Sequence, residues 1–415
     1  MAQSKPRILD DPLLERLAHE HGTPLYVYDA GIVRARIAEL SGFDAIRFAQ
    51  KANSSGAILS LLRREDVLVD AVSAGEIARA SKAGYRDSQI AFTADLFDRA
   101  AIAMLREHAV PVNLGSPDMI EQYARLEPRG EIGREIVLRV NPGFGHGHDR
   151  RVNTGGDQSK HGIWHGDLPA VVARARSLGL EVTGLHTHTG SGSDLENLTR
   201  TCAAMLGFAR TIGGGLKTVS AGGGLPIPYR AVEPRFDVAR FTSAWRETKA
   251  AIESEIGGEI RLEVEPGRYL VAEAGALLTE VRGTKRQGEI EFVLVDAGFH
   301  NLVRPALYGA WHEISVVGRP PAAGGSPKVV AGPLCESADV FTQDRDGHLV
   351  PRSLPDVREG DLLCLHDAGA YAASMASNYN SQPLAAEVLV DGSTVRLVRR
   401  RQTLQDLTRD EILDP

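Results

Sequence analysis

The chain has 415 residues, 43% hydrophobic and 24% charged, a composition ordinary for a soluble enzyme and long enough for one large α/β barrel plus a smaller domain. Its net charge of −7 argues against a general nucleic-acid or acidic-membrane surface. The widely spaced cysteines Cys202, Cys335 and Cys364 suggest a reducing compartment, the cytoplasm in the simplest reading, and no apolar run reaches the roughly 20 residues of a membrane span. Met1–Asp10 lacks the apolar segment of a secretory signal.

In chain order, a strand-like run at Pro24–Tyr28 comes first. Candidate strands follow at Ile46–Lys51, Val67–Ala71, Ile90–Thr93, Val110–Leu114, Ile136–Asn141, Val182–His188, Lys217–Ser220 and Arg261–Glu265. Between them lie amphipathic stretches, among them Ile58–Arg64, Ala74–Ala83, Leu168–Leu178, Leu195–Ile212 and Val238–Ile256. Eight strand-then-helix units predict a (β/α)8 TIM-like barrel; a doubly wound sheet is disfavoured because no early G-x-G-x-x-G is present. After about residue 278 strand-like segments dominate: Leu278–Arg282, Ile290–Asp296, Lys328–Gly332, Asp361–His366 and Thr394–Arg399. They predict a C-terminal, mostly-β domain of Greek-key or sandwich-like kind, which Pro24–Tyr28 could join. The Gly/Pro-rich stretch Gly318–Pro327 reads as an exposed loop.

In such a barrel, functional groups sit at the carboxyl ends of the strands. Lys51 closes an apolar strand, where a lysine either reaches solvent or, buried, becomes a usable Schiff-base amine. The second strand ends in Asp70 and is followed by Ser73 and Glu76, and the fifth ends in Arg139-Val140-Asn141; each group taken alone is most often a turn or a cap. The sixth ends in His186-Thr187-His188-Thr189-Gly190-Ser191-Gly192. Its histidines read as a metal pair, as a ring stacked on a flat cofactor, or as satisfied strand residues. His146, His148, His161 and His165 lie in a polar Gly-rich loop and offer a weaker metal reading. Gly222-Gly223-Gly224 after the seventh strand lets backbone N–H groups approach a phosphate. The eighth ends in Glu263-Val264-Glu265-Pro266-Gly267-Arg268, an acid and a base that form an ion pair or grip two ends of one cofactor. An amine, a ring, a glycine cradle, a carboxylate and an arginine on one rim are what pyridoxal 5'-phosphate needs.

These motifs, with Gly332–Ser337, Gly369-Ala370-Tyr371, Asp296–Phe299, Arg304–Tyr308 and Ser374–Asn380, resemble the barrel-type pyridoxal-phosphate decarboxylases, in the branch acting on diaminopimelate. The resemblance covers nearly the whole chain. It implies a cofactor-binding barrel at residues 35–275, with residues 1–34 and 276–415 forming a β domain that completes the active site. It implies Lys51 as the Schiff-base lysine, His188 stacked on the pyridine ring and Glu265 on the pyridine nitrogen. Ser191, Gly222, Gly223, Gly224, Gly267 and Arg268 would surround the phosphate, helped by Tyr371, and Arg139 would approach the ring oxygen.

The resemblance also implies a homodimer with Cys335 and Glu336 entering the partner's site. Cys335 would be the proton donor and Glu336 the holder of the substrate's distal ammonium, while Arg268, Arg304, Tyr308 and Tyr371 would contact the substrate, the first three at its distal carboxylate. The reaction implied is decarboxylation of meso-2,6-diaminopimelate to L-lysine and carbon dioxide; the alternative is a related decarboxylase acting on another amino acid. A carboxylate at the pyridine nitrogen favours decarboxylation over racemisation, because it keeps the nitrogen protonated and the ring a strong electron sink. No metal, nucleic-acid or membrane partner is expected. Two positions depart from the family pattern: His300 stands in place of Asn in Asp-Ala-Gly-x-Asn, and His161 in place of Phe in Ser-Lys-Phe-Gly.

Overall fold

A computed structural model describes residues 8–126, 132–145, 154–191, 194–319 and 325–412. His146, His148, Gly192 and part of the 318–327 loop therefore lie outside the described residues. The chain divides into two compact units: Ala35–Ile227 with Phe236–Tyr269, and Met1–Arg34 with Pro228–Arg235 and Leu270–Pro415.

Strand β1 (Leu25–Asp29) belongs to the second unit. The first contains β2 (Ala45–Ala49), β3 (Leu68–Ala71), β4 (Ile90–Ala94), β5 (Val112–Leu114), β6 (Glu135–Asn141), β7 (Ile163–Trp164), β8 (Glu181–His186), β9 (Thr218–Ser220) and β10 (Arg261–Val264). All pair in parallel. β5 meets β6 and β10 meets β2, which closes β2–β6 and β8–β10 into an eight-stranded ring; β7 adds to β6 outside it. Parallel strands packed on both faces read as continuous buried runs, as Val69, Asp70 and Ala71 of β3 do.

The helices between the strands start on side-chain caps. Ser73, Asp98, Ser116 and Asp194 each accept a hydrogen bond from a backbone N–H of the first turn, satisfying a group the helix itself cannot. In Gly56–Arg64 the buried residues are Ile58, Leu59, Leu61 and Leu62, a stripe at helical spacing. Helices Arg99–Glu107 and Pro117–Ala124 are additional to the stretches delimited individually; the Asp98 cap and Ser116-Pro117 were their sequence signals.

Three expected strands end early. β2 stops at Ala49 and Lys51 sits in a one-turn 3-10 helix, Gln50–Ala52; β8 stops at His186 and β10 at Val264. The residues beyond the last ladder position, Gln50-Lys51, Thr187-His188 and Glu265, are polar side chains where the chain turns out at the rim.

The second unit contains β11 (Gly275–Gln287), β12 (Ile290–Val295), β13 (Ile314–Val316), β14 (Ser326–Ala331), β15 (Arg352–Leu354), β16 (Leu362–Leu365), β17 (Ala386–Asp391) and β18 (Thr394–Arg399). The main path runs β15-β14-β12-β11-β1-β17-β18, and β16 pairs with β11 and β13. β1 lies antiparallel to β11 and parallel to β17, so the N-terminal strand joins the C-terminal sheet. Leu14 and Leu17 of the helix Asp11–His21 pack with Leu25, Val27, Leu278 and Val388 into one buried cluster.

His300, also in this unit, is 2% exposed and its Nδ1 is buried without a hydrogen-bond partner. Burial pushes its pKa down to about 4, against a smaller opposing pull from Asp296. The folded state therefore holds a neutral ring that the unfolded chain protonates near pH 6.5. The stability this confers is present above pH 6.5 and is lost as pH falls through about 4. Urea unfolding at pH 7 and pH 4.5 should show a loss of about 2 kcal/mol from this group. His300→Asn should remove that part of the pH dependence; an unchanged difference between the two pH values would count against the assignment.

Candidate active site

The site grows from the carboxyl rim of the barrel. Lys51 follows β2 on its 3-10 turn and is exposed. The turn is fastened by Gln50, whose side-chain amide donates to the Glu76 carbonyl at 2.9 Å. Asp70 stands beside Ala49 in the β2–β3 ladder. It is 6% exposed, and burial together with the Glu265 charge holds its carboxyl well above the usual range, although the charges of Lys51 and Arg47 pull the other way. Burial likewise raises Glu76, against a hydrogen bond from Val72 N and the Lys51 charge.

His186, the last residue of β8, is 1% exposed and its Nε2 lies 2.6 Å from Glu265 Oε2. Ser220 Oγ, ending β9, donates to Glu265 Oε1 at 2.8 Å. Burial alone would raise the Glu265 pKa. The His186 contact, the Ser220 hydroxyl and the Arg47 charge outweigh it and hold it at about 2. Arg47 itself grips Glu263 with two hydrogen bonds of 3.1 and 3.2 Å inside the barrel. Arg47, Glu263 and Ser220, with Asn113 and Thr183, line a cavity of 190 Å³ that reaches Glu265. Barrel interiors are usually filled with branched apolar residues; this one is built around charge.

The two histidines of the sixth strand take separate tasks. β8 ends at His186, so strand alternation no longer places His188. The His188 ring lies over the glycine turn, its Cε1 3.7 and 3.6 Å from where a Cβ on Gly223 or Gly224 would stand. Burial and the Lys51 and Arg139 charges push the His188 pKa well down, which leaves a neutral ring. A Cβ on Gly222 would meet Thr187 O at 2.0 Å, on Gly223 Glu265 O at 2.4 Å, and on Gly224 Gly190 O at 2.2 Å. Gly222 and Gly224 also have φ of +65° and +102°, a region L side chains rarely adopt. Gly267 packs its Cα side against Ala49 and Ala52, on either side of Lys51. Ser191 is half-buried and Arg268 is 8% exposed.

Arg139 of β6 points to a partner that sequence reading passed over. Its Nη1 is 3.8 Å from Asp95 Oδ2, and Asp95 also accepts from Gly162 N at 2.8 Å and contacts His161 Nδ1. Burial opposes ionisation of Asp95, but the His161 hydrogen bond and the Arg139 charge win and lower its pKa. His161, the departure from the family pattern, is thus an Asp95 partner. His165 stacks at a tilt on Trp164, centroids 4.7 Å apart. The signal for Asp95 was its place directly after β4.

The other predicted site residues lie in the second unit. Arg304 begins the short helix Arg304–Tyr308 and is 2% exposed; Tyr308 is half-buried. Cys335 and Glu336 are exposed, and Cys335 N donates to Asn380 Oδ1 at 2.8 Å. Tyr371 has φ +57°, and Asn380 +53°. A bulky residue in the left-handed region persists only where its surroundings fix it, and such residues concentrate at functional sites.

The barrel and this rim define an enzyme class, and comparison with known proteins agrees. Residues 33–272 match the family model for the pyridoxal-dependent decarboxylase, pyridoxal binding domain. The chain belongs to the pyridoxal-dependent decarboxylases and, within them, to the diaminopimelate decarboxylase family. It is 50% identical over 414 residues to the diaminopimelate decarboxylase of Streptomyces coelicolor, covering 98% of this chain and 93% of that one. It is 49% identical over 412 residues to that of Escherichia coli K12, covering 96% of each. A crystal structure of diaminopimelate decarboxylase superposes with a TM-score of 0.94 at 48% identity, over 99% of this chain and 98% of that one. The Helicobacter pylori diaminopimelate decarboxylase complexed with L-lysine matches with a TM-score of 0.86 at 31% identity, over 95% and 98%.

The residues present fit pyridoxal phosphate. The glycine turn is a cradle that any Cβ would fill, and the Nδ1 of the neutral His188 ring is buried without a hydrogen-bond partner. Glu265 is a carboxylate held ionised in a buried place.

Proposed function

We propose that this chain decarboxylates meso-2,6-diaminopimelate to L-lysine and carbon dioxide, with pyridoxal phosphate held by Lys51. The observation that carries the reading is Glu265: a buried carboxylate kept at a pKa of about 2 by His186 and Ser220. Such a group favours a positive charge on a pyridine nitrogen beside it. Bound pyridoxal phosphate supplies an electron sink for the pair left behind when a carboxylate departs as carbon dioxide.

The chain's own residues do the rest. Lys51 Nζ would hold the cofactor from the turn after β2. His188 would cover one face of the cofactor ring, and the backbone N–H groups of Gly222–Gly224, with Ser191, Arg268 and Tyr371, would hold its phosphate. Arg139, steadied by Asp95, would approach the ring oxygen. Arg304, Arg268 and Tyr308 take the distal carboxylate, since a guanidinium matches a carboxylate bidentately. Glu336 takes the distal ammonium, and Cys335 Sγ gives a proton to the carbon that has lost carbon dioxide.

We assign residues 35–275 as the cofactor-binding barrel, and residues 1–34 with 276–415 as the domain that completes the site. The exposure of Cys335 and Glu336 suits a homodimer in which they enter the partner's site. A cytoplasmic setting would keep Cys335 a thiol; among the described residues no helix is long and apolar enough to cross a membrane.

The test is to supply purified protein with pyridoxal phosphate and meso-diaminopimelate and to measure carbon dioxide and lysine. Equimolar formation of both is expected. Cofactor binding with no lysine formed would remove the substrate assignment. Absence of any cofactor band would remove the reading altogether.

A further inference from the structure

The second unit contains a buried guanidinium whose support has a specific protonation pattern. Arg304 Nη1 lies 2.9 Å from His312 Nε2, and His312 Nδ1 lies 2.8 Å from the His366 carbonyl oxygen. A carbonyl only accepts, so His312 Nδ1 carries the hydrogen and its Nε2 offers a lone pair. An arginine N–H only donates, so it needs that lone pair. Both contacts are satisfied together only by the neutral Nδ1–H tautomer. A doubly protonated ring would set an N–H against the guanidinium N–H.

The fold explains the placement. In the β13–β16 ladder Ile314 faces Leu365, and His366 N donates to Glu313 O at 2.9 Å. That register brings His312, just ahead of β13, to the His366 carbonyl just past β16. Ser315 Oγ and His366 Nε2, 2.9 Å apart, tie the two strands once more. His312 is 1% exposed. The Tyr229 ring covers the guanidinium, with Arg304 Cζ 4.7 Å from its centroid, and meets the His312 ring edge-on at 5.5 Å. Tyr229 is fixed in turn by Glu233, which accepts from the backbone N–H groups of Tyr229 and Arg230 at 2.8 and 3.2 Å.

We propose that His312 is a positioning residue that, with the Tyr229 ring, orients the Arg304 guanidinium for the distal carboxylate of the substrate. A neutral acceptor aligns the guanidinium without cancelling its charge, whereas a carboxylate in the same place would align and neutralise it. The inference rests on the reading of Arg304 as the carboxylate ligand.

The test uses the holoenzyme and two competitive ligands. L-lysine retains the distal carboxylate, and 1,5-diaminopentane lacks it. In His312→Phe the KM for meso-diaminopimelate and the dissociation constant of L-lysine should both rise about tenfold, the scale of one charge-assisted hydrogen bond. kcat should stay within about threefold, and 1,5-diaminopentane should bind as before. His312→Gln, which keeps a neutral acceptor, should recover lysine binding to within about threefold. His312→Glu should weaken it at least as much as Phe does. Unchanged lysine binding in His312→Phe, or an equal loss for both ligands, overturns the proposal. Should the Phe variant not fold, equal lysine binding by the Gln and Glu variants overturns it instead. Arg304→Ala separates the two layers: it should erase the preference for lysine over 1,5-diaminopentane. If the preference survives there, the role given to Arg304 fails; if it is erased while His312→Phe has no effect, only the role of His312 fails.

Discussion

Lys51→Ala should abolish the absorbance band of the bound cofactor near the visible–ultraviolet border and cut lysine formation by at least about 10⁴-fold. The expectation follows from position. Lys51 sits on the turn directly after β2, and its charge bears on Asp70, Glu76 and His188, the groups around the rim. The turn that carries it is held by Gln50 on one side and close-packed by Gly267 on the other. Since Lys51 is exposed, its loss should shift the stability of the cofactor-free protein by no more than about 0.5 kcal/mol. A thermal unfolding curve of the cofactor-free variant checks that the loss is chemical. A persistent band in Lys51→Ala would mean that another group anchors the cofactor.

Glu265→Gln should lower kcat by about 10²–10³-fold, comparable with removal of a preorganised charge from an active site. Glutamine fits the space and can still hydrogen-bond Ser220 and His186, so the change is one of charge. An anion beside a pyridine nitrogen would favour its protonation, and an amide would not. The pH dependence gives an independent check. With its pKa held at about 2, Glu265 loses its charge only as pH falls through about 2, so it should contribute no acid limb to the rate profile between pH 5 and 9. A wild-type limb in that range that disappears in Glu265→Gln would show that the carboxylate is not held as the His186 and Ser220 contacts indicate. A Gln variant with near-normal kcat would remove Glu265 from the chemistry.

Much of this was legible in the residues alone. The alternation of buried strand and amphipathic helix is a local signal, and Leu195–Ile212 and Val238–Ile256 stand where periodicity places them. The glycine triplet was legible because a turn that admits no Cβ tolerates no other residue. Some strands were not: β13 and β15 carry too few residues for a period to show, and β17, buried along nearly its whole length, shows no alternation. Helices Arg99–Glu107 and Pro117–Ala124, implied by the eight strand-then-helix units, were not delimited individually; their starts are marked by the caps Asp98 and Ser116.

Sequence by itself determined the barrel, the separate β region, and the residue types a pyridoxal enzyme requires, since those follow from local pattern and from motifs along one strand end at a time. Tertiary structure alone decided who holds whom. Glu265 meets His186 and Ser220 from two other strands, Arg139 meets Asp95, and Arg304 meets His312 and Tyr229. Those partners are far apart in the chain or belong to different elements, and ladder register brings them together. Protonation is decided there too. A carboxylate at about 2, a carboxyl kept well above its usual range at Asp70 and a neutral ring at His188 arise from burial and neighbouring charge, which the order of residues does not contain.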